Sequence, residues 1–191
     1  MEINKMTTPE SGTLSNLYVE RAEVYYSLNE YEKCVEDLNR SISLNGAFNP
    51  NVFFLLAISH RNSGNCELAL EIINNLISIS EEPLPKYYIE RGITYFKLEK
   101  YDLAIIDLQR GLTQFSNNPE ATRLLALSYE KLGDVENTLR YMLHASEQGD
   151  IAAGKYLKKM GIFLDSDDYG LFDNQNRSDD KYKLTYAQVY K

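Results

Sequence analysis

The sequence is poor in the residues that most often carry chemistry. Its 191 residues include two cysteines, two histidines and no tryptophan. Neither His60 nor His144 has cysteine, histidine or glutamate at metal-ligand spacing, so we predict structural roles for both. Cys34 and Cys66 are predicted to be unpaired thiols in a reducing compartment. Since a glycine-rich phosphate loop and a nucleophile elbow are also missing, we expect no enzyme, no cofactor and no metal.

Long apolar runs and an excess of positive charge are missing as well. No stretch approaches the ~18 apolar residues of a membrane-spanning helix, and residues 1–12 are too polar for a secretory signal. Lysine and arginine total 20 against 28 aspartates and glutamates, which gives a net charge of −8. An acidic chain does not favour nucleic acid as the main partner. We therefore expect a cytoplasmic protein whose partners are neither nucleic acid nor membrane.

The sequence does contain an internal repeat. Four stretches that begin at Ser15, Pro50, Pro85 and Pro119 carry the same residue types at the same places. The period is about 35 residues, and a fixed period of this size indicates stacked helical hairpins. Asparagine, glycine and proline separate the predicted helices, as expected of residues that end helices.

The third copy shows the repeated pattern most clearly. Its diagnostic residues are Tyr88, Gly92, Tyr95, Tyr101, Ala104, Leu108 and Gly111. Small residues allow two helices to cross closely, and large residues fill the space beside them. The pattern resembles the tetratricopeptide repeat (TPR), over about residues 15–152. The resemblance implies an all-α, right-handed superhelical stack of helical hairpins, which is an α-solenoid.

The chain is predicted to have three regions. These are a polar N-terminal lead at 1–13, a TPR domain at 14–161 and an acidic C-terminal tail at 162–191. The repeats are expected at about 15–49, 50–84, 85–118 and 119–152, followed by a closing helix at 151–161. Eight repeat helices are predicted at 14–28, 31–44, 50–62, 66–80, 85–98, 101–114, 118–132 and 134–148.

Two of the four copies carry opposite charges at matching places. The first copy has Arg21 followed sixteen residues later by Asp37, and the third has Arg91 and Asp107 at the same spacing. The second and fourth copies have uncharged residues at both places. We therefore predict that the arginine of the first helix pairs with the aspartate of the second helix within each hairpin.

The resemblance to TPR proteins also indicates a binding groove, because the first helices of such a stack line its concave side. The predicted groove residues are Val19, Tyr26, Phe54, Ile58, Arg61, Lys86, Ile89, Ile93, Phe96, Lys97, Arg123, Leu127 and Lys131. The apolar members form an expected floor, and the five basic members are opposed by only Glu23, Glu120 and Glu130. A net positive groove favours a protein or peptide with both apolar and acidic residues. Ile89 and Ile93 have an alternative interpretation as inter-repeat core.

One well-known TPR recognition mode does not match this sequence. TPR co-chaperones that bind the C-terminal carboxylate of heat-shock chaperones carry lysine, asparagine, asparagine, lysine and arginine at five defined places. Here those places hold Val19, Glu23, Leu55, Lys86 and Glu90. Only one of the five residues agrees, so the chain is not expected to bind chaperone tails.

The tail differs from the rest of the chain. Residues 165–180 hold six aspartates and one arginine, with Tyr169, Leu171 and Phe172 among them. Such a segment lacks the apolar content to fold alone. It is interpreted either as a solvated tail or as a short motif that docks, in the groove or elsewhere.

Two functional hypotheses follow for the repeat domain. The first is a protein–protein interaction module, an adaptor whose concave groove binds a peptide or helix of a partner protein. The alternative is a dedicated guard, either an immunity protein or a secretion chaperone, that covers one toxin or effector. The sequence does not indicate the identity of the partner or the oligomeric state.

Overall fold

The structure, a computed structural model, describes residues 9–162, with side chains from residue 12 onward. Nine α-helices and no strand occur within this range. The helices are α1 (Pro9–Ser27), α2 (Tyr31–Asn45), α3 (Pro50–Asn62), α4 (Cys66–Ser78), α5 (Pro85–Lys97), α6 (Tyr101–Gln114), α7 (Pro119–Lys131), α8 (Val135–Glu147) and α9 (Ile151–Lys159). The predicted all-α solenoid is confirmed.

The punctuation residues set most helix ends where the sequence predicts them. Pro50, Pro85 and Pro119 each stand at the first position of a first helix, where a missing N–H costs nothing. The Asn49 side chain accepts a hydrogen bond from the backbone N–H of Asn51, 3.0 Å away, and thereby caps α3. The helix before Pro85 ends at Ser78, so no helix runs through the two prolines.

The first helix is longer than predicted. It begins at Pro9 instead of residue 14, so residues 9–13 of the expected polar lead are helical. Proline suits the first position of a helix because its φ is fixed near the helical value. The predicted boundary between lead and domain is therefore wrong by about one turn, since a turn holds about 3.6 residues.

Consecutive helices form four hairpins, which we number 1 to 4: α1 with α2, α3 with α4, α5 with α6, and α7 with α8. Each second helix packs on the first helix of the next hairpin, and α9 packs on α8. Ala153 and Leu157 of α9 are buried against hairpin 4. Lys155, Lys158 and Lys159 are exposed. This is the arrangement expected of a closing helix.

Small residues stand where the helices of a hairpin cross. Ala22, Ala57, Gly92 and Ala126 are all buried in the four first helices. In hairpin 3 the approach is especially tight for a side chain, because a Cβ added to Gly92 would lie 2.8 Å from Leu108 Cγ. Contacts of that length do not occur without movement, so the glycine is required by packing.

Both predicted ion pairs are present and have the same geometry. Arg21 Nε and Nη2 donate to the two carboxylate oxygens of Asp37 at 2.6 and 2.8 Å. Arg91 Nε and Nη2 donate to Asp107 at the same two distances. Such bidentate arginine–carboxylate pairs are among the stronger side-chain hydrogen bonds. The prediction of intra-hairpin pairing is confirmed.

Both cysteines are free and buried. Cys34 lies in hairpin 1, and its Sγ is 3.1 Å from the Ser59 hydroxyl oxygen in hairpin 2. Burial is the largest influence on the Cys34 thiol and raises its pKa, so the neutral thiol is favoured. The surroundings of Cys34 therefore do not favour a reactive thiolate.

Candidate functional site

The candidate site is the face formed by the first helices of the four hairpins, which we call the inner face. Helix α3 packs on α5 and α5 packs on α7, and the Tyr26 hydroxyl of α1 accepts a hydrogen bond from Asn62 at the end of α3. The first helices therefore lie next to one another along one side of the stack. The first helix of each hairpin thus contributes side chains to a common surface.

The inner face carries an apolar strip of partly exposed side chains. Its members are Val19, Tyr26, Phe54, Ile58, Phe96 and Leu127. Hairpins 1 to 4 all contribute to it. Six of the thirteen predicted groove residues are thus partly exposed apolar side chains of the inner face.

Ile89 and Ile93 do not belong to this strip, and the prediction that they form part of an open floor is wrong. Their exposed fractions are 3% and 5%, and they pack with Ala104 and Leu108 of α6. The close approach of α5 and α6 explains their burial. A Cβ on Gly111 would be only 2.5 Å from Ile89 Cγ1, so Ile89 fills the space that the glycine leaves.

Arg61 is present on the inner face but is not a free cation. Its Nη2 lies 2.9 Å from Glu90 Oε2 of the next hairpin, and both side chains are largely buried. The Glu90 carboxylate oxygen is close to Arg61 without the alignment of a good hydrogen bond. Burial raises the pKa of Glu90, and the charge of Arg61 partly offsets that rise. Glu90 therefore neutralises Arg61, which the sequence predicted to be a cation of the binding groove.

Tyr26 extends this cluster into hairpin 1. Its hydroxyl oxygen accepts a hydrogen bond from Asn62 Nδ2 at 3.3 Å. Burial raises the pKa of Tyr26, the positive charge of Arg61 lowers it, and the negative charge of Glu90 raises it. The Tyr26–Arg61–Glu90 cluster consequently links three successive hairpins across the inner face.

Arg123 is also paired, at the other end of the stack. Its Nε lies 2.9 Å from Asp150 Oδ2. The same aspartate accepts a hydrogen bond from the backbone N–H of Ala153 and so caps α9. Arg123 therefore ties hairpin 4 to the closing helix, and its charge is largely compensated.

Three lysines remain as the cations of the inner face that form no ion pair within residues 12–162. Lys86 Nζ stands 4.6 Å from the centre of the Phe54 ring. Lys97 and Lys131 are exposed, and Lys97 Nζ is 3.5 Å from the backbone oxygen of Arg61. A lysine over an aromatic face is a cation–π contact that also leaves the ammonium accessible to a ligand carboxylate.

The predicted net positive groove is therefore wrong. The prediction set five basic residues against three glutamates and left out Glu90 and Asp150, whose carboxylates neutralise Arg61 and Arg123. Counting these two, acidic and basic residues of the inner face are equal in number. The local positive charge is confined to the lysines, with Lys86 beside the aromatic part of the strip.

The described part of the chain offers no candidate metal site. Within residues 9–162 no group of three or more histidine, cysteine, aspartate or glutamate side chains could hold a metal ion. None of the helices in that range is long and apolar enough to cross a membrane. The predicted tail motif, Tyr169, Leu171 and Phe172, lies outside the described residues.

Comparison with known families agrees with the repeat pattern. The Tetratricopeptide repeat family model matches residues 15–48 and 85–118, which are hairpins 1 and 3. Hairpins 1 and 3 are therefore tetratricopeptide repeats. The two matched TPR hairpins are also the two that carry the arginine–aspartate pair.

Among curated proteins, the chain is similar to parts of longer relatives. It is 27% identical over 140 residues to peptidyl-prolyl cis-trans isomerase FKBP4 of Rattus norvegicus, a match that covers 66% of this chain and 31% of the relative. It is 26% identical over 185 residues to Tetratricopeptide repeat protein 16 of Macaca fascicularis, covering 87% of this chain and 20% of the relative. The chain thus spans less than a third of the length of either protein.

Solved TPR structures share the fold at lower identity. MamA from Desulfovibrio magneticus RS-1 superposes with a TM-score of 0.67 at 16% identity, covering 94% of each chain. YrrB, described as a TPR protein with an unusual peptide-binding site, superposes with a TM-score of 0.63 at 16% identity, covering 79% of this chain and 76% of its own. These likenesses establish the architecture of the stack.

Proposed function

We propose that this chain is a protein–protein interaction module, an adaptor whose inner face binds a peptide or helix of a partner protein. The observation that carries the proposal is the apolar strip, which stays partly exposed across four successive hairpins. Exposed apolar surface of this kind usually marks an interaction site. The peptide-binding site in the description of YrrB, which has the same fold, supports the same use of a TPR stack.

The partner segment is proposed to combine apolar anchors with acidic residues. Phe54 is flanked by the buried Tyr87 ring, with ring centres 5.4 Å apart, and by the ammonium group of Lys86. An apolar anchor placed against Phe54 would bring a neighbouring carboxylate within reach of Lys86. Lys97 lies in the next part of the same helix, α5, so a second acidic residue has a partner there.

We further propose a non-catalytic role in the cytoplasm. The two buried free thiols support a reducing compartment, and the described residues contain no group of three or more histidine, cysteine, aspartate or glutamate side chains that could hold a metal ion. The alternative hypothesis, a dedicated immunity protein or secretion chaperone, gains no support from the relatives named above. No contact on the inner face favours it over the adaptor.

The proposal is tested by capture of partners with the wild-type chain and two sets of variants. Phe54→Ala and Phe96→Ala each remove a partly exposed ring of the strip, and we expect both to weaken capture of a specific partner. Ile106→Ala removes an exposed apolar side chain from α6, which is outside the inner face, and should leave capture unchanged.

Thermal unfolding of each variant confirms that the fold is retained. A partner that binds Phe54→Ala and Phe96→Ala as well as it binds the wild-type chain, but is lost in Ile106→Ala, would place the site on the second helices. That outcome would contradict the proposed function.

A further inference from the structure

Equivalent positions of the four first helices differ sharply in burial at the N-terminal end of the stack. The third residue of each repeat is Leu17, Val52, Tyr87 or Ala121. In hairpins 2, 3 and 4 this residue is 7%, 3% and 0% exposed, because it packs on the second helix of the preceding hairpin. Leu17 of hairpin 1 is 54% exposed. The apolar position is the same, but no helix of residues 9–162 covers it in hairpin 1.

The tenth residue of each repeat behaves in the same way. Ser59, Thr94 and Ser128 are completely buried, whereas Val24 in hairpin 1 is 54% exposed. The 3.1 Å contact between Ser59 and Cys34 of α2 shows that this position faces the preceding second helix. Hairpin 1 therefore presents the inter-repeat packing surface with more apolar side chains than hairpins 2 to 4, and without a described helix to cover it.

The two arginine–aspartate pairs give an independent sign of the same open interface. Arg91 Nη1 donates to Asn74 Oδ1 of the preceding hairpin at 2.9 Å, in addition to its two bonds to Asp107. Arg21 makes the same two bonds to Asp37, but its Nη1 has no acceptor within residues 12–162. The Arg21 side chain is 50% exposed and that of Arg91 is 20% exposed. The open end therefore lacks a hydrogen-bond acceptor as well as apolar cover.

Helix α1 itself carries exposed apolar side chains and a hydrogen-bond acceptor. Its exposed apolar residues are Leu14, Leu17, Val24 and Leu28. Together with Arg21 they recur at alternating steps of three and four residues, which places them on one stripe, the spacing of helix–helix seams. Glu20, next to Arg21, is exposed and carries a carboxylate acceptor. We call this surface the α1 stripe.

We propose that the α1 stripe is a homodimerisation surface on which α1 of a second copy packs in the antiparallel direction. With the two-fold axis between Glu20 and Arg21, Leu17 faces Val24 of the second copy and Leu14 lies beside Leu28, each contact occurring twice. Glu20 of each copy then lies beside Arg21 of the other and accepts from its Nη1. The second copy thereby gives Arg21 a hydrogen-bond acceptor, as Asn74 does for Arg91. It also covers the apolar side chains of α1, as α4 covers those of hairpin 3.

Charge favours a second copy over the acidic tail as the occupant. Charges of both signs border the stripe: Glu20 on α1, and Lys33 and Arg40 on α2, while Asp37 already compensates Arg21. An acidic segment such as 165–180 complements only the positive charges and would also meet Glu20. In the antiparallel dimer each Glu20 instead meets an arginine. The other end of the stack differs, because α9 exposes lysines as a polar cap.

The dimer leaves the proposed binding site open. Val19 and Tyr26 of the inner face lie on a different side of α1, at about 160° from the stripe by the helical period. The inference therefore does not depend on the proposed function, and partner binding and dimerisation are separable.

The test is the mass of the full chain in solution over about a hundredfold range of concentration, by sedimentation equilibrium. We expect a dimer for the wild-type chain. Leu17→Glu and Val24→Glu each place a charge in the apolar contact, and we expect the dissociation constant to rise at least about tenfold, as at a central interface residue. Ile106→Glu, an equally exposed apolar position on α6, should remain dimeric.

A gentler variant tests the geometry without altering apolar surface. Glu20→Lys places a lysine beside Arg21 of the second copy and should weaken the dimer, while Glu20→Gln keeps an amide acceptor like that of Asn74 and should weaken it less. Circular dichroism verifies that each variant remains folded. A wild-type chain that is monomeric throughout the range, or a folded Leu17→Glu variant that dimerises as the wild type does, would overturn the proposal. Equal dimerisation by Glu20→Lys would overturn the antiparallel arrangement.

Discussion

Hairpins 1 and 3 have closely similar sequences at the diagnostic positions but different surroundings. Both contain the tyrosine pair of the first helix, a small residue at the crossing and an arginine–aspartate pair. Hairpin 3 is covered on both sides, by α4 and by α7. Hairpin 1 is covered on one side only within the described residues. The comparison teaches that the repeat pattern determines the hairpin, whereas its neighbours determine which side chains become core.

The largest expected difference concerns the ion pairs. Asp107→Ala leaves Arg91 without its partner in a largely buried place, and we expect a loss of about 3 kcal/mol, the lower end for a broken buried pair. Asp37→Ala removes the same bonds, but water can solvate the half-exposed Arg21, so the loss should be smaller. Urea denaturation of both variants measures the two losses. Equal losses would show that burial by a neighbouring hairpin does not matter to the pair.

The next effect comes from the close packing that is special to hairpin 3. Gly111→Val forces a side chain against Ile89 and against the backbone oxygen of Pro85, which is 3.0 Å from the added Cβ. We expect a loss of about 2 kcal/mol from overpacking. Gly12→Val in hairpin 1 is the control, since nothing lies within 4 Å of its added Cβ. A stable Gly111→Val variant would mean that α5 and α6 separate easily.

The smallest effect concerns hairpin 2, which has His60 where the other three hairpins have tyrosine. Burial lowers the pKa of His60 below its ordinary value of 6.5, and its Nδ1 has no hydrogen-bond partner within residues 12–162. The contribution of neutral His60 to stability is present above pH 6.5. It is lost as the pH falls through the lower folded pKa, because the unfolded state then binds more protons.

His60→Tyr should remove this part of the acid destabilisation. The midpoint of urea denaturation as a function of pH measures it, with His144→Gln as the control that keeps His60. If His60→Tyr and the wild-type chain lose stability in parallel below pH 6.5, His60 is not the group responsible.

Much of the fold follows from the sequence because its signals are local. Prolines at the starts of α3, α5 and α7 fix three helix ends. Comparison of equivalent positions correctly predicts both arginine–aspartate pairs, since each pair lies within one hairpin. Pro9 is also a local signal, and its place at the start of α1 explains why the first helix is longer than expected.

The inner face could be predicted only in part, because its charges pair between hairpins. Arg61 and Glu90 occupy non-equivalent places in two repeats, so comparison of copies does not bring them together. Arg123 likewise pairs with Asp150 just before the closing helix. Ile89 has the spacing of a groove residue, yet it is buried because its side chain fills the space that a Cβ on Gly111 would occupy. Contacts between repeats, and not the repeat itself, decide what remains open to a partner.

The central claim, that the inner face binds a partner segment, is tested most directly by an NMR titration of the full chain with a captured partner's binding segment. We expect shifts of Phe54, Ile58 and Phe96 on the first helices, while Leu103 and Ile106 on the exposed side of α6 stay unchanged. Acidic-to-amide substitutions in the partner segment should reduce the shifts near Lys86. Saturable shifts at Leu103 and Ile106, with Phe54 and Phe96 unaffected, would contradict the account.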